Sequence, residues 1–244
     1  MAADPLRNIR VVLCAPVHPG NIGAAARAMK TMGFASLYLV APRRFPDPEA
    51  AWRASRADDV LARATVCHTL DEALAGVGFA VACSARTREH AVSQVAVREA
   101  AAEAVAVART QQVACVFGNE TYGLTTAEVN RCQLLATIPA NPKYSSLNLA
   151  AAVQVVAYEM RLAAMEEKHS PAKPRKLASF EELEGLYAHL EQAMVETGYF
   201  NPRHPKKLLP RLRRLFSRAR LEKEEVNILR GIVKSFQGRK PRQS

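Results

Sequence analysis

Three short polar segments carry the residues whose types and spacing could support chemistry. The first, at 18–23, reads His-Pro-Gly-Asn-Ile-Gly and leads into a helical pattern that contains Arg27. The second, at 118–125, reads Gly-Asn-Glu-Thr-Tyr-Gly-Leu-Thr and places Glu120 just after an apolar run. The third, at 141–148, reads Asn-Pro-Lys-Tyr-Ser-Ser-Leu-Asn and precedes an apolar helical pattern. Together they offer a carboxylate, a guanidinium, hydroxyls and amides, which can orient a substrate and stabilise developing charge.

Residues of the first two segments also have purely structural explanations. Asn21 suits the N-cap of the helix that follows it, and Glu120 suits the N-terminal capping of a helix. Arg27 shares one side of its helix with Lys30 and Thr31, as on an ordinary solvated face. Neither segment alone decides between structure and chemistry.

The third segment has the same ambiguity. Ser145 is predicted as the N-cap, which places Ser146 and Asn148 in the first helical turn, where free backbone N–H groups face a ligand. The alternative is that Asn148 is only a local capping side chain.

The glycines of the first segment raise the question of dinucleotide binding. Their spacing is G-x-x-G, whereas the dinucleotide fingerprint is G-x-G-x-x-G. No acidic residue follows the second predicted strand to hold a ribose, and Arg43 and Arg44 stand there instead. The pattern disfavours NAD, and an NADP-dependent oxidoreductase stays open only through those two arginines.

The elements around these segments predict an α/β fold with a mostly parallel sheet. Strands are predicted at 9–15, 37–41, 65–68, 79–84, 113–117 and 134–139, and helices at 22–32, 51–62, 70–75, 97–109, 126–131 and 149–164. Continuously apolar strands that alternate with helices are typical of a parallel sheet covered on both faces. Ligands bind beyond the carboxyl ends of such strands, so we expect the site in the loops after Ala15, Ser84, Phe117 and Pro139.

Charge divides the chain into two parts. Residues 1–164 hold 16 Lys and Arg against 13 Asp and Glu, whereas residues 165–244 hold 18 against 10. We therefore predict an α/β domain at 1–164, a charged, proline-containing linker at 165–178 and a small all-α domain at 179–244. Ser179 and Glu182 form a capping box, and further helices are predicted after Pro210 and around Val226.

The segment 201–220, called the basic tail below, holds eight Lys and Arg and no Asp or Glu. With a net charge of +11 for the chain, it favours a polyanionic partner, such as nucleic acid or an acidic membrane face. The alternative is a solvated amphipathic face.

Other classes are disfavoured by composition. No apolar run approaches the length of a membrane span, and residues 1–5 lack the pattern of a signal peptide. The five cysteines are odd in number and lie far apart in apolar stretches, so we expect reduced core thiols and a cytoplasmic protein. No Cys or His pair has zinc-ligand spacing, and we expect no metal.

Taken in order, the three segments resemble one family. The stretches Asn21-x-Gly-x-x-x-Arg27, Val116-Phe-Gly-Asn-Glu120-x-x-Gly-Leu and Ile138-Pro followed by Ser145-Ser-Leu-Asn148-Leu look like the three motifs of the SpoU-type branch of the SPOUT RNA methyltransferases. The match runs along about residues 8–164. Further stretches that begin at Arg27, Thr69 and Ser84 resemble the members that methylate cytidine or uridine in the anticodon loop of tRNA.

The resemblance implies a fold, a cofactor and an assembly. It implies a Rossmann-like sheet whose C-terminal part forms a trefoil knot, and a homodimer that binds S-adenosylmethionine in the knot. By motif position, the cofactor contacts map to Cys83, Ser84, Ala85, Gly118, Ile138, Ser145, Ser146 and Leu147. The implied activity is methylation of a ribose 2′-OH in tRNA, at the pyrimidine of anticodon-loop position 32.

The family's candidate for activating the hydroxyl is Arg27. Because arginine is a poor base at its normal pKa, we expect its guanidinium to stabilise the developing alkoxide and hold a phosphate. Asn21, Glu120, Ser146 and Asn148 are expected to position Arg27 and the ribose. Two alternatives stay open: methylation of another tRNA or rRNA nucleotide, and a non-catalytic RNA-binding dimer.

Overall fold

A computed structural model describes residues 4–86, 93–166 and 176–237. In these residues seven strands form one sheet in the order β3-β2-β1-β6-β4-β7-β5, and all the strand pairs are parallel. The strands are β1 Ile9–Cys14, β2 Ser36–Val40, β3 Thr65–Cys67, β4 Val77–Cys83, β5 Ser93–Ala96, β6 Gln112–Phe117 and β7 Leu134–Thr137. The predicted α/β class is confirmed, whereas the knot stays a prediction.

Helices cover both faces of the sheet. They are α1 Pro19–Met32, α2 Pro48–Ala54, α3 Asp58–Ala62, α4 Leu70–Leu74, α5 Val97–Ala108, α6 Thr126–Asn130, α7 Leu149–Glu166, α8 Phe180–Glu196, α9 Leu208–Ala219 and α10 Lys223–Gln237. In β1, Val11 and Leu13 enter the core under α1, α5 and α7, and Val12 and Cys14 enter the core under α4 and α6. Burial on both faces explains the continuous hydrophobicity of the central strands.

Two predicted features of the α/β part are wrong in detail. The helix predicted at 51–62 is two helices, because Ser55 and Arg56 have φ of 45° and 73°, which an α-helix does not accept. The strand β5 was not predicted, since Ser-Gln-Val-Ala is short, half-exposed at the sheet edge and carries little apolar signal.

The last third is helical, as predicted. Both hydrogen bonds of the capping box between Ser179 and Glu182 are present at the start of α8. Helix α9 begins at Leu208, before Pro210 rather than after it, because proline is tolerated in a first helical turn. Ala178, Leu183, Leu186 and Val226 form a small core between α8 and α10. No helix of the described residues is long and apolar enough to cross a membrane.

The helical part packs against the α/β part. Phe180 is buried in the core under α4 and α6. The Glu181 carboxylate accepts from the Gly76 amide at 2.7 Å, and Gln111 exchanges two hydrogen bonds with the backbone of Leu177. Part of the predicted linker, 167–175, lies outside the described residues, and the domain boundaries stay a prediction.

Candidate active site

Four neighbouring strands end at one level of the sheet. Leu13 of β1 pairs with Phe117 of β6, Phe117 pairs with Cys83 of β4, and Cys83 pairs with Ala136 of β7. The three polar segments and the loop after β4 therefore leave the sheet side by side. This edge is the carboxyl end of the strands, where α/β sheets bind ligands.

Glu120 joins the first two segments. One carboxylate oxygen accepts from the Val17 amide at 2.8 Å, and the other accepts from the His18 amide at 3.1 Å and from Asn21 Nδ2 at 3.0 Å. The alternative role of Glu120, capping the N-terminus of a helix, is thus present in part, because its carboxylate accepts from the amide of His18, the residue at the N-cap position of α1. Glu120 anchors the start of α1 to the loop after β6.

The Glu120 carboxylate is held in its ionised form. Partial burial alone raises its pKa, but the hydrogen bonds from Asn21 and from the amides of Val17 and His18 more than offset burial and bring the pKa below its usual range. All of these partners are neutral. Among the described residues, the charge of Glu120 is therefore not balanced by any cation hydrogen-bonded to it.

Asn21 connects the first segment to the third. Its side-chain oxygen accepts from Asn148 Nδ2 at 2.9 Å, while its own Nδ2 donates to Glu120. The expected N-cap role of Asn21 is wrong, because α1 begins two residues earlier at Pro19, with His18 at the N-cap position. The freed amide instead bridges two loops that are far apart in sequence.

Asn148 is the cap of α7, which corrects the prediction for Ser145. Its Oδ1 accepts from the Ala150 amide at 3.0 Å, and the helix begins at Leu149, so Ser145 and Ser146 lie in the preceding loop. A side chain that caps one helix and bonds to another fixes their spacing. Glu120, Asn21 and Asn148 thus form one chain of hydrogen bonds across all three segments.

A cleft opens beside this chain. It is lined by all eight of the predicted cofactor residues, namely Cys83, Ser84, Ala85, Gly118, Ile138, Ser145, Ser146 and Leu147. It is also lined by residues that the sequence did not single out, namely Arg86, Phe117, Asn119, Thr121, Gly123, Ala136, Leu149 and Ala152. What these residues share is their position, since each lies at a strand end, in a loop already marked or in the first turn of α7.

The lining suits S-adenosylmethionine in its chemistry. Apolar walls from Phe117, Ile138 and Leu147 can hold an adenine ring, and serine hydroxyls can bind a ribose. Arg86 and Glu120 supply opposite charges for the carboxylate and the cationic groups of the methionine part. The donor set therefore fits the cofactor.

The loop after β6 is shaped by two neighbouring residues. A Cβ on Gly118 would lie 2.1 Å from the backbone of Gly123 and Leu124, so only glycine lets the loop fold back here. Asn119 is buried, and its side chain donates to the Ala15 carbonyl at 2.7 Å and accepts from the Thr121 amide at 2.8 Å. Asn119 therefore shapes the loop from inside.

Cys83 contributes a neutral wall to the cleft. Burial raises the pKa of its thiol well above the ordinary value, and the neighbouring Cys115 adds to this effect. The thiol stays protonated at neutral pH and does not act as a nucleophile. In the described residues no group of three or more His, Cys, Asp or Glu side chains could hold a metal ion.

Arg27 is not brought into the cleft of its own chain. It is exposed on α1, about 9 Å along the helix axis from Asn21, and it is absent from the cleft lining. Within the described ranges its guanidinium has no hydrogen bond and no ion pair. The site therefore holds Asn21, Glu120, Ser146 and Asn148, but its predicted guanidinium lies outside.

The basic tail divides into bound and free cations. Arg213 bonds the Glu184 carboxylate, and Arg220 bonds Glu103 and the Gln133 carbonyl, so two of the eight are used inside the protein. The other six are exposed, with no ion pair among residues 4–86, 93–166 and 176–237: Arg203, Lys206, Lys207, Arg211, Arg214 and Arg218.

Comparison with known proteins gives matches along nearly the whole chain. A model described as the SpoU rRNA methylase family matches residues 8–158, and one described as the C-terminal domain of the tRNA methyltransferase TrmJ matches residues 181–244. The tRNA (cytidine/uridine-2′-O-)-methyltransferase TrmJ of Klebsiella pneumoniae is 47% identical, covering 95% of this chain and 97% of its own.

Solved structures agree with the sequence matches. The crystal structure of TrmJ from Z. mobilis ZM4 has a TM-score of 0.81 at 35% identity and covers 93% of this chain and 98% of its own. A probable methyltransferase from Bordetella pertussis Tohama I is 47% identical, with a TM-score of 0.62, and covers 66% of this chain and 98% of its own.

Proposed function

Because the chain belongs to the SpoU methylase family and to its TrmJ group, we propose that it methylates the ribose 2′-OH of a pyrimidine in tRNA. The donor is S-adenosylmethionine, and the target is the cytidine or uridine at position 32 of the anticodon loop. The observation that carries the proposal is the hydrogen-bond chain from Glu120 through Asn21 to Asn148, which fixes three loops beside a cleft of matching chemistry.

The reaction needs most help at the hydroxyl. S-adenosylmethionine supplies a methyl group that its sulfonium already makes electrophilic. The ribose 2′-OH, in contrast, is almost fully protonated at neutral pH, so the protein must stabilise the oxygen while its proton passes to solvent water and must align it for transfer. Cys83, Ser84, Ala85, Gly118, Ile138, Ser145, Ser146 and Leu147 hold the cofactor in this proposal.

In the proposed reaction, Arg27 acts on the 2′ oxygen of the ribose. Its guanidinium stabilises the developing alkoxide and binds an adjacent phosphate, since a fixed cation lowers the cost of forming the anion. Glu120 and Asn21 hold the start of α1, the helix that carries Arg27. Ser146 and Asn148 position the ribose at the cleft. Asn21, Glu120, Ser146 and Asn148 are thus positioning residues.

The proposal includes a homodimer, in which one copy brings Arg27 to the cleft of the other. Support comes from the exposed position of Arg27 outside the cleft of its own chain. Co-expression of an Arg27→Ala chain with a Gly118→Val chain tests it, because only a shared site combines an intact cleft with an intact Arg27. Activity of the mixed dimer well above either pure variant is expected, and no gain would reject the shared site.

The helical domain at 179–244 binds the tRNA through the six exposed cations of the basic tail. Contacts to phosphates release counterions, so this binding should weaken steeply with salt. Replacing Arg211, Arg214 and Arg218 with Gln should weaken tRNA binding and reduce its salt dependence while S-adenosylmethionine affinity is unchanged. Unaltered tRNA affinity in this variant would leave the cations as a solvated face.

The proposed reaction is tested by mass spectrometry of tRNA nucleosides after incubation with deuterium-labelled donor. Labelled 2′-O-methylcytidine or 2′-O-methyluridine from position 32 is the expected product. Label at another nucleotide would correct the position, and label on a base would reject the reaction.

Titration calorimetry with S-adenosylmethionine separates the enzyme from a non-catalytic RNA-binding dimer and from an NADP oxidoreductase, since only the enzyme must bind it. We place the reaction in the cytoplasm, where tRNA is available.

A further inference from the structure

A second exposed surface lies beside the helix that carries Arg27. It is formed by α2 and the turn after it, and it presents Trp52, Arg53 and Arg56. Trp52 is the one tryptophan of the chain, and 79% of it is exposed. A single exposed aromatic side chain is ordinary by itself, so the groups that surround Trp52 decide what this surface can bind.

Helices α1 and α2 touch through their backbones. A Cβ on Gly23 would lie 2.0 Å from the Ala50 carbonyl oxygen, so the two helices cross in direct contact at this point. Arg27 follows Gly23 by four residues and therefore lies one turn further along the same face of α1. The Arg27 side chain thus leaves α1 on the side of α2.

Arg53 lies on the same side. Its Cγ is 3.5 Å from the position of a Cβ on Gly20, so its stem crosses the start of α1, next to the residues that Glu120 anchors. Glu49 also borders Gly20, and it is the nearest acid on this side of α2. Trp52 precedes Arg53 and points to solvent. The surface is therefore continuous with the proposed site.

Lys30 fixes the turn that carries Arg56. Its ammonium donates to the Arg56 carbonyl at 2.8 Å and pairs with Asp59 at 2.7 Å, so Lys30 and Asp59 neutralise each other. Asp47 is likewise paired with Arg44 at 2.9 Å. In the part of the chain that the structure describes, the side chains of Arg53 and Arg56 form no ion pair, so both guanidinium groups beside the indole are available to a ligand.

We infer that this surface binds the RNA strand that flanks the target nucleotide, with Trp52 stacked on an unpaired base and Arg53 and Arg56 on phosphates. An exposed aromatic ring beside unpaired guanidinium groups is the combination that binds single-stranded RNA, because every base offers a face for stacking and every linkage a phosphate. The inference rests on the proposed function, since it places Arg27 and this surface on the same RNA.

The single tryptophan gives a direct test. The chain holds 1 Trp, so indole fluorescence reports Trp52 alone. We expect substrate tRNA to quench this fluorescence in a saturable way, with a midpoint equal to the Kd from an independent binding assay. S-adenosylmethionine alone should leave the signal unchanged. Saturated binding without any change in fluorescence would overturn the inference.

Substitutions measure the size of the effect. Trp52→Ala should weaken tRNA binding by about five- to tenfold, as expected for one lost base stack, and Trp52→Phe should restore most of it. Arg53→Gln and Arg56→Gln should each reduce the salt slope of binding by about one. Arg7→Gln is the matched control, because Arg7 is exposed before β1 at the opposite end of the sheet.

Three further outcomes are decisive. Equal tRNA affinity in Trp52→Ala and wild type rejects the stacking role, provided that the wild type methylates tRNA. If the wild type binds S-adenosylmethionine but methylates no tRNA, the proposed function fails instead, and the two failures are thus distinct. If Trp52→Ala changes the mass in sedimentation, a second copy of the chain covers the indole and the inference is wrong.

Discussion

Two partly buried carboxylates, Glu120 at the cleft and Glu184 at the junction with the helical part, are held in opposite ways. Burial raises the pKa of both. Hydrogen bonds lower the pKa of Glu120 below its usual range, and hydrogen bonds together with the charges of two arginines do the same for Glu184. The partners of Glu120 are neutral amides and Asn21. Glu184 is instead clamped between Arg213 and Arg131, at 2.8 Å to one nitrogen of Arg213.

The two environments distinguish a functional site from a structural contact between the α/β part and the helical part. Glu184 is paired with Arg131 and Arg213, of which Arg131 also pairs with Asp71. Arg213 also lies over the ring of Tyr187, with 4.3 Å to its centroid. Burial raises the pKa of Tyr187 to about 12, so its hydroxyl stays neutral. Glu120 keeps its charge unbalanced at an open edge, where it can orient donors and favour a cationic cofactor. Changes at the cleft should therefore affect turnover, and changes at the junction should affect stability.

The largest effect is expected from Arg27→Ala. Loss of the guanidinium that stabilises the alkoxide should lower methyl transfer by about 100- to 1000-fold, as for loss of one donor to a developing oxyanion. The affinity for S-adenosylmethionine should stay within about threefold, because Arg27 does not line the cleft. Single-turnover rates and calorimetry measure the two quantities. Unchanged turnover would remove Arg27 from the reaction.

A smaller loss of activity is expected from Glu120→Gln. Glutamine keeps the size but loses the charge, and its amide cannot accept all three hydrogen bonds, so kcat/KM should fall by about 10- to 100-fold. Crystal structures or amide exchange at Val17 and His18 would show the loosened start of α1. The comparison predicts a smaller loss of unfolding free energy than Glu184→Gln causes, and an equal or larger loss would contradict it.

At the junction, Glu184→Gln should affect stability instead. Removing the carboxylate leaves Arg213 without its hydrogen-bonded acid and Arg131 with Asp71 as its remaining acid, which should cost about 1 to 3 kcal/mol of unfolding free energy after allowance for partial exposure. Urea unfolding measures this. Glu159→Gln, whose partner Arg98 is 78% exposed, is the control and should change stability by less than about 1 kcal/mol. Equal losses of unfolding free energy in Glu184→Gln and Glu159→Gln would show that Glu184 contributes no more to stability than an exposed ion pair does.

The pH dependence is the smallest expected effect. A carboxyl whose folded pKa is depressed stabilises the protein fully above its unfolded value of about 4.3, and this stabilisation is lost as the pH falls through the folded value. Both Glu120 and Glu184 should contribute to stability in this way. As the pH is lowered, the free energy of unfolding of Glu184→Gln should therefore fall less than that of the wild type. An unchanged acid transition would show that the carboxylate is not stabilised by its arginines.

Much of this molecule is predictable from its sequence because hydrophobic periodicity defines the central strands and the helices that cover them. The meeting of the three polar segments follows from the rule that parallel strands present their carboxyl ends at one edge. The partners of Asn21 and Asn148 could not be predicted, since capping and loop bridging use the same side chain. The break at Ser55 and Arg56 carries no glycine or proline to mark it.

The sequence also could not show which cations of the basic tail form ion pairs inside the protein and which are exposed. Arg213 and Arg220 belong to the same charge run as Arg214 and Arg218, yet the first two are buried in ion pairs and the others are exposed. Helical periodicity indicates a side, but only tertiary packing supplies the acids Glu184 and Glu103. Likewise, the sequence predicted a role for Arg27 without showing that the guanidinium lies outside its own cleft.

The central claim, that this cleft serves methyl transfer to a ribose oxygen, is tested most directly with a tRNA carrying a 2′-deoxynucleotide at position 32. The deoxy substrate should bind with nearly the affinity of unmodified tRNA but accept no methyl group, whereas tRNA with a 2′-deoxynucleotide one position away should be methylated normally. Undiminished transfer to the deoxy substrate would contradict the account.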